Sequence, residues 1–523
     1  MNSGRVLYHM VRADFLERVR RYSFLLTLAA SLYLAYCVAA EKIWIVVGNG
    51  YRGVYNSAWI GMLMSICCST FLSLAGFYIV KNSVQRDADT RVGQILAATP
   101  MRKGFYTLAK TLSNFAVLAS MVGILMLAAV AMQLALGEHH SLSLWKLWSP
   151  FVFLALPTML LTASLAVLFE TVPGLGGGFG NVAYFFLWTA VISLGATGTD
   201  DPMGLQLLYR STRTALFSID PSSPDRFNFS LTIGGERALH TFRWTGLAWT
   251  VPVLLMRLLW IVVAIGLSTV SAAFFRRFDP SRSRQRVRSA VKKALASSTE
   301  PKAIAPSPFV PSAAHLTPLV RHGGGSRLMQ LIVSELRLML KGQRWWWYTA
   351  AIGMLVGQFV SPDAGVRSGF LIAAWLWPIL LWSKMGCRET RHSTGPLVFS
   401  AERSLSRQFP AIWAAGVIVT VLTGAGAGIH FAIAGDWRNL ATWMAAASFI
   451  PALALALGVW SGGSRAFEAL YTVWWYVGPA HQIPGLDFMG TTPASSSPVL
   501  YASLASILLL AAYLRRRQSL GYA

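Results

Sequence analysis

The sequence predicts an all-α membrane protein of about twelve transmembrane helices, in two six-helix halves that are each preceded by an amphipathic surface helix. Three observations lead there. The 523 residues are 54% hydrophobic and 13% charged, where a soluble domain carries roughly 25% charged residues. The apolar residues gather in blocks of spanning length. The same order of elements also recurs on either side of a polar stretch near the middle of the chain.

The blocks fall near 23–40, 57–80, 105–134, 148–170, 179–196 and 248–275, then near 345–360, 369–384, 409–433, 439–460, 465–479 and 498–514. Twenty Trp and a net charge of +24 suit a bilayer, because aromatic rings favour the headgroup zone and Lys/Arg favour the cytoplasmic leaflet. A nucleic-acid binder would show basic stripes on a water-exposed fold. Here the basic residues sit at the ends of apolar blocks, so membrane lipids are the expected partner and nucleic acid is not. Cys37, Cys67, Cys68 and Cys387 lie in or beside these blocks without C-x-x-C spacing and read as small core hydrophobes. Tyr36-Cys37-Val38-Ala39-Ala40 loosely mimics a signal-peptidase site, but the preceding stretch is longer than an ordinary n-region and reads as a helix.

Orientation follows from the Lys/Arg distribution in short loops. Basic residues crowd the N-terminus (Arg5, Arg12, Arg18, Arg20, Arg21), the loop after the second block (Lys81, Arg86, Arg91, Arg102, Lys103), the stretch after the sixth (Arg276 to Lys293) and the C-terminus (Arg515, Arg516, Arg517). Alternating sides from a cytoplasmic N-terminus puts all four clusters inside. The stretch 198–247 balances Asp200, Asp201, Asp220, Asp225 and Glu236 against five Arg residues. The expected location is a bacterial-type inner membrane, multi-pass, with both termini cytoplasmic.

The domains expected are a first membrane domain at 1–275, a basic Pro/Ala/Ser/Gly-rich cytoplasmic linker at 276–327, and a second membrane domain at 328–523. Each half opens with an amphipathic helix, striped by Val6, Leu7, Met10, Val11 and Phe15 in one and Leu328, Ile332, Leu336 and Met339 in the other. Around them Val11-Arg12-Ala13-Asp14-Phe15 matches Ile332-Val333-Ser334-Glu335-Leu336 in pattern. Two blocks later each half makes a polar excursion. Arg86-Asp87 with Gly93 six residues past the Asp answers to Arg388-Glu389 with Gly395 six past the Glu. Such internal symmetry suits a transporter with its path between pseudo-equivalent halves.

Enzymatic signatures are missing. The sequence has no G-x-x-x-x-G-K-[ST], H-E-x-x-H or G-x-S-x-G, and no Cys/His set with metal spacing. Gly174-Leu175-Gly176-Gly177-Gly178 lacks the phosphate-loop Lys and reads as a flexible turn or a site of close helix approach. His139 and His140 are neighbours that share no helix face. Within the blocks Arg257 is the ionisable residue to weigh, as a path residue or as a side chain reaching the outer surface. Glu170 and Glu468 sit at cytoplasmic block ends, where interfacial solvation accounts for them.

The excursion from Gln85 to Pro100 (Gln85-Arg86-Asp87-Ala88-Asp89-Thr90-Arg91-Val92-Gly93-Gln94-Ile95-Leu96-Ala97-Ala98-Thr99-Pro100) resembles the cytosolic loop between the second and third spans of type-2 exporter ABC permeases. Tyr106 to Asn114 resembles the start of that family's third span, and Asp14 to Arg21 its elbow helix. The resemblance covers about residues 5–135; the second half shares layout more than motif, and Gly395-Pro396 departs from Gly93-Gln94. It implies a permease whose coupling helices engage two copies of a separate ATPase subunit. The chain itself would bind no cofactor, and ATP and Mg would come through the partner. Arg86, Asp87, Asp89, Arg91, Gln94, Arg388, Glu389 and Arg391 would then couple to the ATPase, with Asn114 and Arg257 as candidates for the translocation path. An apolar path suits hydrophobic or amphipathic cargo. The rival readings are a secondary carrier of the major facilitator type, which expects a G-x-x-x-D-R turn of a few residues after the second span, and a membrane enzyme acting on lipids. The enzyme would draw on Asp200, Asp201, His240, His481 and Asp487.

Overall fold

A computed structural model describes residues 3–47, 51–139, 141–196, 201–217, 219, 230–233, 240–275, 278, 327–362, 365–400, 403–481, 483, 485–491 and 498–521. Most of the expected linker, and with it the Arg276-to-Lys293 cluster, lies outside the described residues, as do His140, Asp200, Asp220, Asp225 and Glu236. The chain forms two compact units, Met1–Ala290 and Val291–Ala523.

The protein is a multi-pass membrane protein. Among the described residues nine helices are long and apolar enough to cross a bilayer. The first unit begins with α1 (Ser3–Val19), followed by α2 (Tyr22–Ala39), α3 (Ser57–Val80), the short α4 (Ser83–Asp89) and α5 (Val92–Ala98), and the long α6 (Lys103–Leu136). Then come α7 (Leu144–Thr171), α8 (Gly178–Ala196), α9 (Leu205–Phe217) and α10 (Val251–Phe274). The side chains of α3 are mostly buried and those of α10 mostly face outward, so α3 runs through the middle of the unit and α10 along its lipid side. Phe77 on α3 stacks on Tyr184 of α8 with ring centroids 3.5 Å apart.

Four short strands add to the all-helical expectation. β1 (Ile43–Val46) pairs antiparallel with β3 (Ser230–Ile233), and β2 (Tyr51–Gly53) pairs parallel with β4 (His240–Phe242). They tie the segment after α2 to the segment before α10. Gly53 is required there, because a Cβ would stand 2.3 Å from the buried Trp59 ring. Strands of three and four residues leave no period long enough to recognise in a sequence.

The second unit contains α11 (Arg327–Leu340), α12 (Trp345–Val360), α13 (Leu371–Trp382), α14 (Arg388–His392), α15 (Gly395–Val398), α16 (Ser404–Ile433), α17 (Trp437–Ser461), α18 (Arg465–Trp475) and α19 (Pro498–Ser519). All six apolar blocks of this half are helical, but three helices are short. α12 has 16 residues, a rise of about 24 Å against a hydrocarbon core of about 30 Å. α13 is interrupted at Trp377-Pro378, where proline brings no N–H to the ladder. α18 ends after 11 residues in a wider turn containing Pro479. Helix contacts here rely on small residues: Gly424 lies against Trp375, whose indole N–H donates to Thr420 O at 3.0 Å.

Candidate functional site

In the first unit α3 stops at Lys81, whose backbone turns extended, and Asn82 takes a left-handed conformation (φ 91°). The chain restarts as α4 because Glu170, from the end of α7, receives its first amides. One carboxylate oxygen accepts from Asn82 N (2.6 Å) and Ser83 N (2.9 Å), the other from Val84 N (2.6 Å) and Gln85 N (3.1 Å). These are the donors a helix start leaves unpaired, met by a charge of the favourable sign. Lys81 itself donates to Leu175 O (3.1 Å), Gly177 O (3.4 Å) and Asn181 Oδ1 (2.6 Å). The glycine-rich turn is therefore a carbonyl cradle for an ammonium. Glu170 is thus a structural ligand of the excursion, contrary to its expected solvation.

A charge cluster fastens the excursion sideways. The inward face of α1 carries Asp14, whose carboxylate accepts from Arg86 Nη2 at 2.8 Å and Lys110 Nζ at 2.7 Å. The same Lys110, only 3% exposed at its side chain, lies 2.7 Å from Asp87, which also accepts from the Tyr106 hydroxyl at 2.7 Å. One helical turn along, the Arg18 guanidinium donates to Asn114 Oδ1, while Glu17 pairs with Arg86 and Arg21. Asp14 and Arg18, four apart on α1, thus meet Lys110 and Asn114, four apart on α6. The start of α5 is held by another contact: a Cβ on Gly93 would stand 2.6 Å from the Phe278 ring, and Phe278 packs against Tyr106 and Phe275.

The second unit repeats one element of this arrangement and changes another. Glu335 on α11, the counterpart of Asp14, accepts from Arg388 at 2.9 Å, as Asp14 does from Arg86. Glu389, the counterpart of Asp87, is held by Arg516 of the last helix at 2.7 Å, and that guanidinium covers the Phe399 ring at 5.0 Å. Burial raises the Glu335 carboxyl above its ordinary range; Arg388 opposes that and Glu389 assists it.

The eight residues expected to couple to a partner divide by position. Arg86, Asp87, Arg388 and Glu389 face inward and are engaged by the chain itself. Asp89, Arg91, Gln94 and Arg391 are exposed. Sequence reasoning missed Ile95 and Leu397. Each stands two residues past the matched glycine, and they are 70% and 78% exposed. The signal was there in the Gly93/Gly395 alignment, where both positions are aliphatic.

The two path candidates are both buried. Asn114 sits behind α1 and receives Arg18. Arg257 is 3% exposed and donates to the backbone carbonyls of Asp201 (2.8 Å) and Pro202 (3.2 Å). It neither reaches the outer surface nor stands in open space. The Asp201 carboxylate caps α9 through Leu205 N and Gln206 N, so Arg257 pins the segment that positions α9. Glu468, expected to be solvated, is 2% exposed. Two more of the polar residues weighed for lipid chemistry are engaged locally. Asp487 binds Met489 N and the Thr491 hydroxyl, and His481 contacts Tyr476 O. Among the described residues no three His, Cys, Asp or Glu side chains could jointly hold a metal ion.

No protein-family model matches the sequence, and neither a curated protein nor a solved structure matches it.

Proposed function

We propose that the chain is the permease of an ATP-driven exporter, two six-span membrane domains fused in one polypeptide, moving hydrophobic or amphipathic cargo and coupled to a separate ATPase subunit in two copies. In this reading α1 and α11 are elbow helices lying at the cytoplasmic surface, and α12, α13 and α18 complete the second set of spans in spite of their length. The observation that carries the proposal is the twice-used latch. In each unit an acid on the opening helix (Asp14, Glu335) holds the arginine (Arg86, Arg388) of a polar excursion, and that excursion exposes an aliphatic residue at the matched position (Ile95, Leu397). Arginine–carboxylate pairs orient a short helix well, and a short helix fixed to its unit moves with that unit when pushed. The part-buried latches then carry force, while Ile95, Leu397 and the polar side chains of Asp89, Arg91, Gln94 and Arg391 meet the partner. Apolar anchors ringed by polar residues are what dominate small interfaces.

The test is reconstitution with the co-purified nucleotide-binding subunit. Ile95→Glu is expected to reduce transport-coupled ATP hydrolysis by about 10- to 100-fold, the range that loss of a central anchor represents, with Leu397→Glu acting in the same direction. Full coupled activity in the double variant, or transport driven by a proton gradient without ATP, sinks the proposal. The second outcome is the one the major facilitator reading requires.

A further inference from the structure

The second unit contains a cleft with no counterpart in the ion-pair arrangement of the first. It lies between α11, α12 and α16, has a volume near 240 Å³, and is lined by Leu336, Leu340, Trp347, Ala351, Leu355 and Thr423 among others. Its lining is almost wholly apolar and it is open on one side, so in a bilayer-spanning unit it calls for an apolar occupant. Its mouth is of the opposite character. The turn from Leu340 to Arg344 borders it, because Leu340 and Tyr348 at either side of that turn both line the cleft and the Tyr348 hydroxyl donates to Leu340 O at 3.0 Å. That turn exposes Lys341 and Arg344, with Arg337 exposed one turn back on α11.

The matching place in the first unit is built differently. There, the helix that opens the unit presents Asp14 and Arg18 to Lys110 and Asn114 of α6. Beyond Glu335, α11 presents Leu336, Met339 and Leu340, and α16 carries Arg407 as its one Lys or Arg.

We propose that this cleft binds one anionic phospholipid, with an acyl chain between α11, α12 and α16 and the phosphate at Lys341 and Arg344. The site combines a hydrocarbon slot in a bilayer-spanning unit with the exposed Lys341 and Arg344 beside it, neither of which is ion-paired among the described residues. Basic residues beside a membrane helix select anionic over zwitterionic headgroups, and the aromatic rings of Trp345, Trp346 and Tyr348, all exposed next to the mouth, belong at headgroup depth. The site is independent of any ATPase role.

The experiment uses the full chain, delipidated in detergent, with phosphatidylglycerol and phosphatidylcholine of identical acyl chains added separately. Native mass spectrometry reads the tightest-held lipid. Phosphatidylglycerol is expected to be held roughly tenfold more tightly. Lys341→Gln with Arg344→Gln should bring it down to the phosphatidylcholine level. Ala351→Trp, which fills the slot, should remove that bound lipid altogether, and Leu355→Phe gives the same reading in part if the tryptophan variant elutes as aggregate. Equal retention of the two lipids by the unmodified chain overturns the proposal. So does retention that survives both slot-filling variants.

Discussion

The two excursions solve one mechanical problem with different parts. In the first unit Lys110 comes from the neighbouring helix α6 and bridges Asp14 to Asp87, so that α1, α4 and α6 share a single buried ammonium. In the second, Arg388 and Arg516 each serve one carboxylate, and Arg516 arrives from the C-terminal helix 127 residues further along the chain. The first arrangement is a node and the second is two separate links. Removing a single cation therefore affects more of the first unit than of the second.

This difference yields the largest expected effect. Lys110→Met leaves the buried Asp87 and the part-buried Asp14 with one cation fewer, and breaking a buried pair from one side costs about 3–5 kcal/mol. Arg516→Met strands one carboxylate, Glu389, instead of two, and should cost less. Thermal unfolding of the detergent-solubilised chain reads both. Adding Asp87→Asn to Lys110→Met is expected to recover part of the loss, because it removes one of the stranded charges. A Lys110→Met variant as stable as the parent would mean that the node is not what holds α4.

How much of this was legible in the sequence depends on the range of the signal. The twelve apolar blocks were readable because length and composition alone mark a helix that can span, and every block is helical. The paired excursions were readable because Arg86-Asp87 and Arg388-Glu389 sit at matched places. What those charges bind was not, since Asp14 lies 72 residues from Arg86 and no local period connects them. The reading therefore sent four of them outward to a partner while the structure turns them inward. Arg257 was misjudged for the same reason, because its carbonyl ligands lie in a loop 55 and 56 residues away. The blocks at 345–360, 369–384 and 465–479 are short in the sequence itself, but hydropathy does not see where Pro378 interrupts α13 or where α18 gives way to the turn containing Pro479.

A middle-sized effect separates the matched glycines. Gly93 lies under the Phe278 ring, where a Cβ would stand 2.6 Å away, while around Gly395 nothing lies within 4 Å. Gly93→Ala should therefore destabilise by about 1–3 kcal/mol through overpacking. Gly395→Ala, in the first turn of α15 with an ordinary φ, should be neutral or stabilise by about 0.4–1 kcal/mol by restricting the unfolded chain. Equal effects at the two positions would show that Phe278 does not pack on α5 in solution.

The smallest effect tests the links by pH. Burial lifts the Glu335 carboxyl above its ordinary 4.5, more than Arg388 lowers it, so the folded chain holds this proton more tightly than the unfolded one. The stabilisation from that group is fully present below pH 4.5 and is lost as the pH climbs through the raised folded value. Tm of the parent should fall across that window, and Glu335→Gln should flatten the fall because the group no longer titrates. Protonation also weakens the bond to Arg388 by removing the charge it donates to. Hydrogen exchange at α14 is therefore expected to quicken on acidification even as global stability rises. If exchange at α14 slows instead, the charge on Glu335 is not what holds Arg388 and α14 in place.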